Sequence, residues 1–365
     1  MKKSLKGYLK RSLAIAMVLV VALFMLTACN DKPEPESKVK IVCTTFPSYD
    51  WISQLTSGID DVEVTLLQDK GVDLHSYQPT ADDMIKIKES NLFVYVGGES
   101  DEWVEDAIED INRKDFSAIS MMEILGDKVK AEEVKEGMDA EHDHDVDDHD
   151  HDADDHDDHD HDADDHDHDT DDHDDHDHEH HHHDGEIEND EHVWLSLKNA
   201  QIICETLTDK LIEIDSANQE KIRENSKKYI AELQALDKEY EQTLNAAAKK
   251  TLLFGDRFPF RYLVDDYGID YFAAFVGCSA ETEASFETVA FLSGKLDDLG
   301  LDTVITIDKS DKKIAKTIVA NSKGKSAKIL TLNSMQTVDK KQIEDGVTYL
   351  GIMQENLKVL EEALK

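Results

Sequence analysis

Two histidines stand apart from all others in this chain: His75, within Asp73-Leu74-His75-Ser76-Tyr77, and His192, within Asp190-Glu191-His192-Val193-Trp194-Leu195. The remaining 16 of the 18 histidines fall in a single run between them. Neutral imidazole nitrogens and carboxylate oxygens are the donors that hold a borderline divalent cation such as zinc. The pattern is read as two fixed histidines building one specific metal site, with a soft segment between them that gathers metal nearby.

That segment runs from Asp139 to Asp184 and holds 25 acidic residues, 16 histidines and no Lys or Arg in 46 positions. So few apolar side chains cannot offset the entropy of ordering, and the run is expected to be disordered without ligand. Its histidines are His142, His144, His149, His151, His156, His159, His161, His166, His168, His173, His176, His178, His180, His181, His182 and His183. A purely solvating linker is the plain alternative. The use of His where Ser, Gln or Lys would solvate equally well favours metal binding at modest affinity per site. Near neutral pH much of the imidazole is unprotonated, and the carboxylates raise the local cation concentration.

The formal charge is −43, of which 25 negative charges lie in the run, and the remaining −18 still opposes binding to phosphate backbones. Nucleic acid is therefore not an expected partner. Residues 1–28 read as a targeting leader: Lys2, Lys3, Lys6, Lys10 and Arg11 precede an apolar stretch from Leu13 to Leu26. Leu26-Thr27-Ala28-Cys29 then resembles a bacterial lipobox, with Cys29 the lipidated first residue of the mature chain; an uncleaved membrane anchor is the alternative. Residues 29–38 read as a tether, which makes the protein extracytoplasmic and held on the outer face of the cell membrane. Of the other cysteines, Cys204 falls on an apolar helical stripe. Cys43 and Cys278 each follow a strand-like run, where a disulfide and thiolate ligation both stay open and two unpaired buried thiols are preferred.

Strand and helix patterns alternate on both sides of the run. Val39 to Thr44, Val62 to Leu67, Leu92 to Val96 and Ser117 to Met121 read as strands. Helices are expected to open at Pro47, after Thr80 (a capping site), and near Trp103. This predicts α/β lobes with parallel sheets flanked by helices, and ligands beyond the carboxyl ends of the strands, where the loop bearing His75 leaves. Leu197 to Ile214 and Ala217 to Lys249 read as helices, the second uninterrupted by Pro or Gly. The second half repeats the alternation, with strands near Thr251 to Phe254, Tyr271 to Phe275, Thr303 to Ile307 and Ala327 to Leu332. Its helices are expected over Phe258 to Tyr267, Ser285 to Leu299, Asp311 to Ser322 and Ile343 to Leu364. The expected division is an N-terminal lobe over 39–215 that carries the 139–184 insert, a connecting helix over 216–249, and a C-terminal lobe over 250–365. Trp51, Trp103 and Trp194 are expected in the cores.

Several stretches, taken in order, resemble the metal-binding solute-binding lipoproteins of bacterial ABC importers, the zinc-uptake branch above all. They are Asp73 to Thr80, Glu102-Trp103, His192-Val193-Trp194-Leu195-Ser196, Phe260-Arg261-Tyr262-Leu263 with Tyr267-Gly268, Glu283-Ala284-Ser285 and Tyr349 to Leu360. The resemblance implies two lobes joined by a long helix, with metal in a cleft between them and delivered to a membrane ABC permease by a monomer. His75 and His192 match the family's ligand positions. The third position is Arg257 here, which cannot bind a cation, so neighbouring Asp256 is the candidate. The fourth is Asn333, a weak donor to zinc, and Glu281, Glu283 or a histidine of the run are candidates to complete the set. Zinc is the expected ion; two histidines with oxygen donors would also suit manganese, or iron. A surface metal store or adhesin-like protein without a transport partner is the reading from another class. No general base stands beside either histidine at a spacing such as His-Glu-x-x-His, so no catalytic residue is assigned.

Overall fold

Val39–Cys43 (β1) is a β-branched run with its last three residues fully buried, the kind of strand that sits inside a parallel sheet. The computed structural model describes residues 38–139, 188–279 and 283–365. The expected leader with Cys29, the sixteen histidines of the run, and Glu281 lie outside the described residues. No helix among the described residues is long and apolar enough to cross a membrane.

The chain forms two compact units that are discontinuous in sequence. The first comprises 38–124, Gln201–Ala235 and Gln336–Tyr349; the second comprises 125–139, 188–200, 236–279, 283–335 and Leu350–Lys365. The residues flanking the His/Asp run therefore pack in the second unit, whereas the sequence reading placed the insert in a first lobe spanning 39–215. The cause is local: Ala131 and Asn189 pair as an antiparallel bridge, and Asp190 N donates to Lys130 O at 2.8 Å, closing the base of the insert.

In the first unit, Thr45 precedes Phe46–Leu55 (α1), with Pro47 near the start of the helix, and α1 buries Trp51, Ile52 and Leu55. Val62–Leu66 (β2), Leu92–Tyr95 (β3) and Ser117–Ser120 (β4) complete a parallel sheet in the order β2-β1-β3-β4. Ala81–Glu89 (α2) opens on a capping box in which Thr80 and Asp83 satisfy each other's backbone N–H. Trp103–Glu109 (α3) and Met121–Leu125 (α4) follow β3 and β4. Val42, Leu67, Ile87, Phe93 and Val104 form the core, and Trp103 packs against it while remaining partly exposed.

Two helices carry the chain from one unit to the other. Leu197–Ile214 (α5) starts in the second and enters the first, and the 28-residue Gln219–Ala246 (α6) runs back. At 1.5 Å per residue α6 is about 42 Å long. It has no Pro or Gly to break it, as the sequence predicted for 217–249, though a 3₁₀ turn over Ser216–Asn218 takes its expected first residues.

In the second unit, Thr251–Phe258 (β5), Asp270–Val276 (β6), Thr303–Ile307 (β7) and Lys328–Leu332 (β8) form a parallel sheet in the order β6-β5-β7-β8. Arg261–Tyr267 (α7), Phe286–Asp298 (α8) and Lys313–Asn321 (α9) connect them. The strand expected near Thr251 to Phe254 runs on through Gly255-Asp256-Arg257, which form the second half of β5 and stay in the sheet through a register shift between Phe254 and Arg257. Gly255 is needed there because a Cβ would lie 2.6 Å from Ala315 Cα of α9. The single terminal helix predicted over Ile343 to Leu364 is two helices, Lys340–Glu344 (α10) and Tyr349–Ala363 (α11), interrupted at Gly346 with φ +89°.

Candidate metal centre

His75 lies on a 3₁₀ turn, Leu74–Ser76, downstream of β2, and its backbone N–H donates to Asp73 Oδ1 at 3.2 Å. Its ring is held from both ends. Nδ1 lies 2.9 Å from Ser100 Oγ, and Nε2 lies 3.1 Å from the Gln336 side-chain amide nitrogen. In this amide orientation the Gln336 N–H donates to Nε2, which pairs with a ring proton on Nδ1 facing Ser100. A cation at Nε2 would take the place of the Gln336 amide donor. Ser100 is placed by a turn, Glu99–Asp101, whose carbonyl at Ser100 accepts Trp103 Nε1 at 3.1 Å. The Glu102-Trp103 pair thus helps to fix the hydroxyl that orients His75.

His192 is fully buried, at 0 % exposure. It sits on Asp190-Glu191-His192 just before the Val193–Leu195 turn, where Trp194 is anchored by donating Nε1 to Ser334 O at 2.8 Å. Asp190 Oδ1 accepts the His192 backbone N–H at 2.8 Å and ring Nδ1 at 3.0 Å. Tyr262 hydroxyl donates to Asp190 O at 2.8 Å and accepts Lys130 N at 3.0 Å, so the Phe260-Arg261-Tyr262 stretch supports the segment that presents His192. Burial pulls the proton affinity of His192 down, but Asp190 and then Glu191 and Glu132 outweigh it and leave the pKa raised. The same carboxylates favour a bound cation.

Cys278, just past the end of β6, belongs to this group. Its Sγ lies within 4.8 Å of a ring nitrogen of His192, and its backbone N–H donates to Glu132 Oε1 at 2.8 Å. Gly277 lets the loop lie against the imidazole: a Cβ there would be 3.1 Å from His192 Cε1 and 2.9 Å from Phe258 O. Burial pushes the Cys278 thiol well up, and Glu132, Asp190 and Glu191 push it further. No disulfide forms among the described cysteines: Cys43 and Cys204 are buried thiols, and burial pushes Cys43 up to about 12.

The other candidates are engaged within their own unit. Asp256 Oδ1 accepts Arg257 N at 3.0 Å, Oδ2 faces Ile307 N at 3.4 Å, and Ser310 adds a hydroxyl contact. Burial raises the Asp256 pKa, and these hydrogen bonds oppose the rise. Arg257, at the expected third position, donates from Nη1 to Ser279 O at 3.2 Å. Asn333 Oδ1 accepts Met335 N at 2.8 Å. Glu283 is exposed, ahead of Ser285, which caps α8 by accepting Thr288 N at 3.0 Å.

The sequence reading did not anticipate Glu132, Gln336 or the support from Asp190. The Asp-x-His spacing of Asp190 and His192 is a usable signal, since an Asp side chain bonds backbone two residues on. Glu132 and Gln336 carry no such mark, lying 60 and 261 positions from the histidines they approach.

A family model described as zinc-uptake complex component A, periplasmic (ZnuA) matches residues 41–363, and the chain belongs to this family. The chain is 27% identical over 352 residues to the zinc-binding lipoprotein AdcA of Streptococcus pneumoniae serotype 4, covering 96% of this chain and 61% of that protein. It thus spans about three fifths of that relative. It is also 26% identical over 353 residues to the high-affinity zinc uptake system protein ZnuA of Bacillus subtilis, covering 95% of this chain and 96% of the relative. Among solved structures, the Zn(II)-bound ZnuA-like domain of S. pneumoniae AdcA superposes with a TM-score of 0.63 at 24% identity, covering 90% of this chain and 99% of that one. The metal-dependent lipoprotein YcdH of B. subtilis gives 0.65 at 25% identity, with coverage of 90% and 99%.

Proposed function

We propose that this protein is the extracytoplasmic zinc-binding component of an ABC importer, with His75 and His192 as ligands to the transported ion. The observation that carries the reading is His192 itself: a buried imidazole whose Nδ1 is held by Asp190, in a chain whose family match runs over residues 41–363. A metal-binding histidine commonly gives its second ring nitrogen to a carboxylate or hydroxyl, which fixes the tautomer and raises ligand basicity. His192 has such a partner in Asp190, and His75 has one in Ser100. Binding is the whole of the chemistry: neutral imidazoles replace water on the ion, and no group is required to act as base or nucleophile.

Zinc is the cargo, and a membrane permease is the partner that receives it. Cys29, acylated, holds the chain at the outer face of the cell membrane, and the run from Asp139 to Asp184 collects cations close to the site. Asp256, Asn333 and Glu281 are weaker candidates for completing the ligand set. The first two already accept backbone donors in their own unit.

The test is zinc-limited growth and zinc accumulation in cells lacking the protein. The wild-type chain should restore both, and His75→Ala and His192→Ala should not, at equal protein level. Full restoration by either alanine variant would reject the reading.

A further inference from the structure

We infer that Cys278 is a thiolate ligand to the zinc ion held by His192, completing the site with sulfur where Arg257 and Asn333 offer no strong donor. This rests on the function proposed above and specifies the ligand set.

Three observations within the second unit support it. The first is distance: Cys278 Sγ and a His192 ring nitrogen lie within 4.8 Å. A tetrahedral zinc at ordinary bond lengths holds nitrogen and sulfur about 3.6 Å apart. The pair therefore stands within a small side-chain adjustment of sharing an ion. The second is that the loop is built rather than loose. Glu132 Oε1 holds Cys278 N, Arg257 Nη1 holds Ser279 O at 3.2 Å, and the backbone of Gly277 rests against the imidazole ring. The arginine that stands in the expected third ligand position thus fastens the neighbour of the cysteine that takes over the task.

The third observation is charge. Glu132 Oε1 accepts Cys278 N at 2.8 Å, and Asp190 Oδ1 lies 3.0 Å from Nδ1 of the neighbouring His192 ring, so carboxylates line both sides of the pair. Cys43, by contrast, is fully buried within β1, with the Ser48 hydroxyl as its side-chain hydrogen-bond partner and no charged group among the described residues acting on it. Cys278 sits instead beside an imidazole and these carboxylates, surroundings that oppose a bare thiolate and favour a dication with a thiolate bound to it. On binding, the S–H bond breaks and an Sγ–zinc bond forms. The proton passes to the Glu132 carboxylate, which already takes a hydrogen bond from Cys278, and then to water. No oxidant or reductant is involved.

A thiolate also bears on ion choice. Soft sulfur beside imidazole selects zinc over manganese, which prefers oxygen donors. The chain should therefore reject manganese more strongly than a site of imidazole and carboxylate would.

The experiment is cobalt substitution of the full-length protein in detergent, read by absorption. The His/Asp run contains no cysteine, so thiolate-to-cobalt charge transfer in the near ultraviolet reports only on cysteine ligation. The expected result is one such band per protein, absent from Cys278→Ser and from His192→Ala. Cys278→Ser should also weaken zinc binding by at least the roughly tenfold to hundredfold that loss of an outer-shell partner costs. As a check that needs no variant, saturating zinc should protect Cys278 from alkylation by iodoacetamide. Cobalt filling a tight site that His192→Ala removes, with no charge-transfer band, would overturn the inference and leave the proposed function intact. A band that survives Cys278→Ser, or Cys278 alkylating at the same rate with zinc, would also overturn it. Failure to find any tight site that depends on His192 would overturn both.

Discussion

One carboxylate oxygen, Asp190 Oδ1, accepts both the backbone N–H of His192 at 2.8 Å and its ring Nδ1 at 3.0 Å. The backbone bond fixes where the residue starts and the ring bond fixes how the imidazole turns. Together they direct Nε2 away from Asp190. Neither group has much solvent to compete for it, since His192 is fully buried and Asp190 nearly so. The pair is a preset orientation, in place before any cation arrives.

Replacing Asp190 with Asn keeps an acceptor for the backbone but presents an amide that can also donate to Nδ1 and favour the wrong tautomer. Zinc affinity should fall by about tenfold to hundredfold, the usual range for a lost second partner. The fold should persist, because Tyr262 bonds to the Asp190 backbone carbonyl and not to its side chain. Competitive titration against a chromophoric chelator measures this, and an affinity within about twofold of wild type would contradict it.

Gly277→Ala tests the close approach of the β6 loop to the same ring. A new methyl would sit 2.9 Å from Phe258 O and 3.1 Å from His192 Cε1, so either the strand end or the imidazole must move. Overpacking of this kind costs about 1–3 kcal/mol. The expected outcome is a lower unfolding midpoint together with weaker zinc binding, read by thermal melts with and without zinc. A variant that matches wild type in both would show that the loop has room.

Asp101 gives the first unit a pH signature. It is nearly fully buried, its Oδ2 accepts Val96 N at 2.8 Å and Gly97 N at 3.0 Å, and burial pushes its pKa from 3.8 up to about 6. Between those values the folded chain holds a proton that the unfolded chain has released. Its contribution to stability is therefore greatest at low pH and declines as pH rises through about 4 to about 6. The span corresponds to at most about 3 kcal/mol. Asp101→Asn keeps an acceptor for both backbone donors and removes the titration. Urea unfolding at pH about 4 and about 7 should show the variant gaining on wild type by about 2–3 kcal/mol at the higher pH. An unchanged difference would contradict the assignment.

The fold was readable where local chemistry decides it. The Thr80 cap, the buried β3 and the unbroken α6 each follow from residue types within one or two turns of the chain. The extent of β5 was not readable, because Gly255-Asp256-Arg257 has loop composition and stays in the sheet only through its neighbours and the close approach of α9. The grouping of 125–139 and 188–200 with the second unit was hidden for a similar reason: the Ala131–Asn189 bridge spans the whole insert. At the candidate site, His75 and His192 stood out by isolation, whereas the support from Asp190 became visible only in the structure, although its Asp-x-His spacing is a signal for it. Cys278 was legible as a thiol after a strand with ligation left open, but nothing local ties it to an imidazole 86 positions away.

The most direct test of the account is zinc competition on protein lacking residues 140–184, compared with His75→Ala and His192→Ala in the same background. The expected result is one tightly bound zinc per chain, preferred over manganese, and lost in each alanine variant separately. Tight binding that disappears with the insert, or that survives either histidine replacement, would contradict the claim that these two histidines hold the transported ion together.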